Sequence, residues 1–378
     1  MFENQNDAIE LGTVVNDGEA FALQLEEIKN GIFIFGNSSM GQEDFLKNII
    51  INYNGKYIDP FLLIRYDGKI NDIQEVTKDL IILRPGENFS LDIFDPMGLN
   101  PSTHTEKILE IFEMLCVLNR EDKNNPIIED IIYDSLLDFC SINNSHDWSE
   151  FIDLLDNKMV NAGLEEYRQD MRNKLRKFST GHLNSIYRKH EYFTNEDLFQ
   201  NNVLLDLSSI LRMNAKGSDI LLFIIIVLKL LNEFISSKDE RGEVIDHLTY
   251  LQYDIGFKNE TLNTFFIEEL KLVFLQKHSN EMIIFETTDL NELTKDILSQ
   301  CGTIACFRND SFDQLPEDLP FTFNYDVDFS KLLLGRCVFK SNLMKYPVLL
   351  EIDEVSIIRD FSEIDKNAKN ILLTKKKI

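Results

Sequence analysis

Cysteine is scarce and unpaired in this sequence. The five thiols, Cys116, Cys140, Cys301, Cys306 and Cys337, form no C-x-x-C pair. That excludes the usual thiolate zinc framework and leaves disulfides without a pattern, so the thiols read as structural groups in a reducing compartment. Histidine is equally thin. His104, His146, His182, His190, His247 and His278 show no H-x-x-x-H or H-E-x-x-H spacing, and no metal site is expected. Basic charge is short as well: 38 Lys and Arg stand against 64 Asp and Glu, a formal charge of −26. Such a surface repels phosphate backbones and anionic membranes unless its cations are concentrated in one place. No apolar run reaches the roughly 20 residues of a membrane span. The longest, at 220–231, covers about a dozen and reads as a buried core helix. The first ten residues carry no charged segment followed by an apolar one, so no secretory signal and a cytoplasmic location are expected. There is no Ser-His-Asp order, no nucleophile elbow, no internal repeat and no low-complexity linker.

What is present is enough apolar residue, 44% of 378, for a large α/β domain. Short alternating stretches at 12–15 and 21–23 flank Asn16-Asp17-Gly18, a hairpin signal. Continuous apolar runs at 31–35, 61–64, 80–83, 202–207, 248–253, 282–285 and 303–307 read as buried strands. Helical spacing appears at 45–53, 219–235 and 262–276, and a last hairpin is predicted from 334–339 and 348–352. Strands separated by helices imply a mostly parallel sheet with helices on both faces. Four segments follow: a hairpin and first core part at 1–103, an all-helical insertion at 104–200, a second core part at 201–355 and a tail at 356–378.

One segment carries chemistry. Gly36-Asn37-Ser38-Ser39-Met40-Gly41-Gln42-Glu43 lies between the strand at 31–35 and the helix that follows. Both glycines match G-x-x-x-x-G-K-[ST], the loop whose backbone N–H groups cradle phosphates, whose lysine neutralises them and whose hydroxyl ligates magnesium. Gln42 stands at the lysine position and Glu43 at the hydroxyl position. Glycines at this spacing also fit an ordinary tight turn after a strand.

From about residue 11 to 352 the chain resembles the ATPase core of the HerA/FtsK superfamily, conjugation ATPases included. Segments 10–49, 82–101, 178–210 and 282–310 are similar to that family's lead-in hairpin and phosphate loop, second-strand region, following strand, and sensor strand with its helix. The resemblance implies a RecA-like P-loop NTPase fold. It also implies that Asp254 is the remnant of the Walker B aspartate, with Ile255 in place of the water-activating glutamate. Thr288 occupies the position of the γ-phosphate-sensing glutamine, and Gln276-Lys277-His278 replaces an Arg-Lys-Gly stretch. Arg308, at a strand end, is a candidate inter-subunit residue or an ordinary surface arginine.

Loss of lysine, hydroxyl, glutamate and sensor together opposes phosphoryl transfer, which depends on positioning and electrostatics. The expectation is a catalytically degenerate pseudo-ATPase, a structural or regulatory subunit of a larger assembly, with no catalytic residue, metal or cofactor. ATP with magnesium belongs only to the alternative, an active motor translocating DNA or protein in which Lys47 or a neighbouring subunit replaces the lysine. Lys47 lies five residues past Gln42 and points away along the helix. A nucleotide sensor that binds without hydrolysis is a third possibility. The expected partner is a protein, either an active ATPase of this superfamily or another copy of the chain. Nucleic acid has little support: the basic stretch Arg168, Arg172, Lys174, Arg176, Lys177, Arg188 and Lys189 reads first as a helix face paired with acidic neighbours. Asp92 with Asp95 and Asp326 with Asp328 read as turn and strand-edge residues.

Overall fold

The computed structural model describes residues 8–56, 60–68, 73, 77, 80–97, 99–114, 126–141, 147–189, 193–213, 216–243, 246–253, 260–275, 281–290, 292–310 and 328–355. Their strands are β1 (Ala8–Val14), β2 (Ala20–Gln24), β3 (Ile32–Phe35), β4 (Phe61–Arg65), β5 (Ile81–Leu83), β6 (Val203–Asp206), β7 (His247–Tyr253), β8 (Glu281–Thr287), β9 (Thr303–Phe307), β10 (Arg336–Ser341) and β11 (Val348–Ile352). All belong to one sheet, in the order β2-β1-β11-β10-β9-β3-β8-β7-β4-β6-β5.

From β9 to β5 every pairing is parallel, and from β9 out to β2 every pairing is antiparallel. Burial explains the division. β3, β4, β6, β7 and β9 are buried at every position, as parallel strands covered on both faces must be. β1 and β2 mix buried with more exposed residues, as a hairpin at the border of a sheet does. The hairpin predicted around Asn16 therefore joins the main sheet through β11.

Side chains of β3 separate by the two-residue period of a strand. Ile32 and Ile34 pack on the face shared with Phe45, Leu46, Ile49 and Ile50 of helix α2 (Gln42–Lys56), which follows the short α1 (Leu25–Lys29). Phe33 and Phe35 belong to the opposite face, in the apolar cluster that also holds the helix Gly217–Glu240.

That helix corrects the sequence reading on one point. The apolar run is only its centre; the helix has 24 residues and, by length and composition alone, could cross a membrane. In the fold 94% of its apolar window is buried inside the molecule, so it is the core helix expected at 219–235, extended at both ends. Polar residues within and beyond the apolar run are buried and paired. Lys229 lies 2.9 Å from Glu269 and also contacts Glu110, and Asn232 donates to Glu269 at 3.0 Å. Burial works against the Lys229 charge, but the two carboxylates outweigh it and raise its pKa. His104, fully buried, meets buried Glu233 at 3.0 Å.

Glu110 and His104 belong to the helix Pro101–Met114, which opens the helical region. There the helices gather around Trp148, stacked on Phe178 with centroids 4.7 Å apart and edge-on to Phe94. The same apolar cluster includes Phe33 and Phe35 of the sheet, so helices and sheet share one core.

Candidate functional site

The glycine loop connects the C-terminal end of β3 to α2, at the edge of a parallel sheet where α/β folds place their ligands. Its shape demands glycine at both ends. Gly36 has φ +155°, and a Cβ there would meet the Phe307 Cβ at 2.7 Å. Gly41 has φ +117°, and a Cβ would meet the Gly335 Cα at 2.8 Å. Ser39 between them has φ +65°, a left-handed conformation that costs a non-glycine residue about 1 kcal/mol.

Inside the loop lies the side chain of Gln42, only 2% exposed. Its Oε1 accepts the Met40 N–H at 2.9 Å, and its Nε2 donates to the Asn37 carbonyl at 2.6 Å. The carboxamide thus bridges the two sides of the cradle and takes up a backbone N–H that a phosphate would require. Outside, the loop is held by its neighbours. The Asn37 N–H donates to the Arg308 carbonyl at 2.8 Å, the Asn37 side chain to Asp310 at 2.9 Å, and the Gly335 N–H to the Met40 carbonyl at 3.1 Å. Lys47 is buried along α2, its Nζ 4.0 Å from Asp44.

Glu43, next along, faces Arg65, whose Nη2 is 3.7 Å away. Arg65 is the last residue of β4, and it was not among the residues singled out from sequence. A signal existed: a lone arginine closes the apolar strand Phe61–Arg65 at the sheet's ligand-binding edge. The guanidinium is 3% exposed and lies 2.6 Å from Asp67. Burial opposes its charge, but Tyr250, Asp67 and Glu286 together outweigh that and hold its pKa above the ordinary value. On the next two strands, the Tyr250 hydroxyl donates to Glu286 at 2.6 Å and the Gln252 amide reaches Asp67 at 3.4 Å. Burial pushes the Glu286 carboxyl up despite the Tyr250 hydrogen bond and the Arg65 charge. Burial, with Glu286 adding to it, raises the Tyr250 phenol well above its usual range and keeps it a hydrogen-bond donor.

The remaining sequence candidates fall as follows. β3 and β8 pair Phe35 with Thr287, which brings Thr288 level with Gly36, and the Thr288 carbonyl accepts from Asn309 at 3.2 Å. Asp254 and Ile255, following β7, lie outside the described residues, as do 276–278 and Asp326. Arg308 pairs within its own chain, its Nε 2.8 Å from Asp310. In the basic stretch, Arg168 and Arg172 engage Asp156 at 3.0 and 2.6 Å, and Lys174 engages Asp170 at 2.8 Å, the pairing read from the sequence. Asp92 and Asp95 cap local turns through the Phe94 and Met97 N–H groups. Cys140, Cys301, Cys306 and Cys337 are free and buried, and burial raises the Cys140 thiol to about 12, so it is inert at neutral pH. Among the described residues no group of three or more His, Cys, Asp or Glu is placed to hold a metal ion.

No protein-family model matches the chain, and no curated protein matches it in sequence. Solved structures do match in fold. VirB4 of Thermoanaerobacter pseudethanolicus superposes with a TM-score of 0.67 at 12% identity, over 94% of this chain and 99% of that one. The plasmid coupling protein TrwB in complex with the GTP analogue GDPNP gives 0.59 at 7% identity, over 93% and 91%. TrwB with ADP and Mg2+ gives 0.56 at 8% identity, over 92% and 91%. The chain therefore shares the fold of VirB4 and TrwB over nearly its whole length.

Proposed function

We propose that this chain is a catalytically degenerate HerA/FtsK-like pseudo-ATPase that serves as a structural or regulatory subunit of a larger, cytoplasmic assembly. The observation that carries it is the Gln42 side chain, bridging Met40 and Asn37 across the cradle. A nucleotide has to displace that carboxamide before any phosphate reaches the Met40 N–H. It gains no ammonium in return, a loss of about 1.5 to 3 kcal/mol for a charge-assisted contact. At the position of the magnesium-binding hydroxyl it meets Glu43, a carboxylate already facing Arg65. The residues present do not fit a magnesium-bound triphosphate, and no hydrolytic step is derived through one.

The active-motor alternative draws on the fold, since TrwB has been solved with ADP and Mg2+. It needs a lysine from elsewhere, and Lys47 is turned toward Asp44. For the scaffold role, support comes from the outer rim of the loop. Leu333 and Leu334, 58% and 71% exposed, flank the Gly335 that hydrogen-bonds Met40, an apolar pair suited to a protein partner such as an intact ATPase or a second copy.

Isothermal titration with ATP and ADP, with and without magnesium, tests the assignment. The expected result is no binding at micromolar concentrations and no turnover above background. Micromolar affinity without turnover would favour a sensor, and turnover would favour the motor.

A further inference from the structure

The edge of the sheet beside the loop holds a buried cation surrounded by more acid than one ion pair requires. Glu43 reaches it from α2, Asp67 from the turn after β4, and the Glu286–Tyr250 pair from β8 and β7. Asp206, level with Arg65 on the neighbouring β6, is taken by Arg84 at 3.1 Å and so does not add to the group. At the centre, the Nε and Nη1 groups of Arg65 are buried without a hydrogen-bond partner among the described residues, and Nη2 makes the close contacts to Asp67 and Glu43. A guanidinium held this way serves by its charge more than by its hydrogen bonds. Arginine suits that task because it does not lose its proton in a protein, whereas a buried lysine can.

In a phosphoryl-transfer site, the charge beside the residue that follows the loop's lysine position is a magnesium ion. We propose that Arg65 is a resident cation that takes over this neutralising role, so that the carboxylates of Glu43, Asp67 and Glu286 remain packed at the sheet edge with neither metal nor nucleotide. The inference rests on the view that the loop holds no magnesium-bound nucleotide, and it adds how the remaining acid is tolerated.

The test uses the full chain as Arg65→Met, Arg65→Lys and the double variant Arg65→Met/Glu43→Gln. Thermal melting is followed in a chelator and in millimolar Mg2+ or Ca2+, and between about pH 8 and about pH 5. The wild type is expected to melt identically with chelator and with cations. Arg65→Met is expected to melt lower in chelator. It should recover part of the loss when divalent ions are added or the pH falls, because the uncovered carboxylates then take up ions or protons. In the double variant both the loss and the recovery shrink. Arg65→Lys, whose shorter arm covers Asp67 better than Glu43, gives an intermediate cation response and carries the test if Arg65→Met does not fold.

Two results overturn the proposal. One is a gap between wild type and the Arg65 variants that neither cations nor acid change, which would make Arg65 a packing residue. The other is a wild type that itself melts lower in chelator. The melts contain no nucleotide, so they succeed or fail independently of the titrations that test the loop.

Discussion

Two buried charge clusters sit on opposite sides of this fold's logic. Around Lys229 in the helical layer, one ammonium meets Glu110 and Glu269, and Asn232 donates to Glu269 while its own Oδ1 is buried without a partner among the described residues. Around Arg65, one guanidinium meets Glu43 and Asp67 at the carboxyl ends of the parallel strands, with two of its nitrogens lacking a hydrogen-bond partner among the described residues. The first ties helices to one another. The second lies beside the glycine loop, at the ends of parallel strands where α/β folds place their ligands. The difference teaches that buried charge with unsatisfied polar atoms does not by itself mark a site; its place in the topology does.

The largest expected effect breaks the structural side of this contrast. Lys229→Met leaves the buried Glu269 carboxylate without its cation and should cost about 3 to 5 kcal/mol of unfolding free energy, read by urea denaturation. Smaller is the effect at the loop. Gln42→Ala removes both carboxamide hydrogen bonds and orphans the Met40 N–H, a cost of about 1 to 3 kcal/mol in the same assay, with the strongest increase in amide exchange confined to residues 36–43.

Smallest is a pH effect at Glu286, on the Arg65 side of the contrast. Burial raises the folded-state pKa of this carboxyl above its unfolded value. The folded protein therefore holds its proton longer, and stability is lost as pH rises from the ordinary carboxylate pKa through the raised folded one. Glu286→Gln keeps an acceptor for Tyr250 and cannot ionise, so relative to wild type it should gain stability at about pH 8 compared with about pH 5, by about 1 kcal/mol or less. Paired melts of wild type and variant at the two pH values measure it, and a constant difference would contradict it.

Much of this architecture was legible in the sequence because parallel strands buried on both faces must be continuous apolar runs. Phe61–Arg65, Val203–Asp206 and Thr303–Phe307 announce themselves in that way. The loop was legible through its glycines, since only their backbone conformations and the close approaches of Phe307 and Gly335 explain the spacing. Hidden from sequence was the direction of side chains. That Gln42 turns into the loop depends on where Met40 and Asn37 present their backbone groups. Arg65 gains meaning only when the strand order brings Tyr250 and Glu286 near it. The helix at 219–235 was legible, but what its polar residues meet was not: Lys229, Asn232 and Glu233 gain meaning only when their buried partners are seen.

The central claim, a phosphate loop closed by its own glutamine and faced by a carboxylate, is tested most directly by titrating Mg-ADP into wild type and into the double variant Gln42→Lys/Glu43→Thr side by side. The account predicts no measurable heat for wild type and binding in the variant, whose restored ammonium and hydroxyl suit phosphate and metal. Equal or tighter binding by the wild type would contradict it.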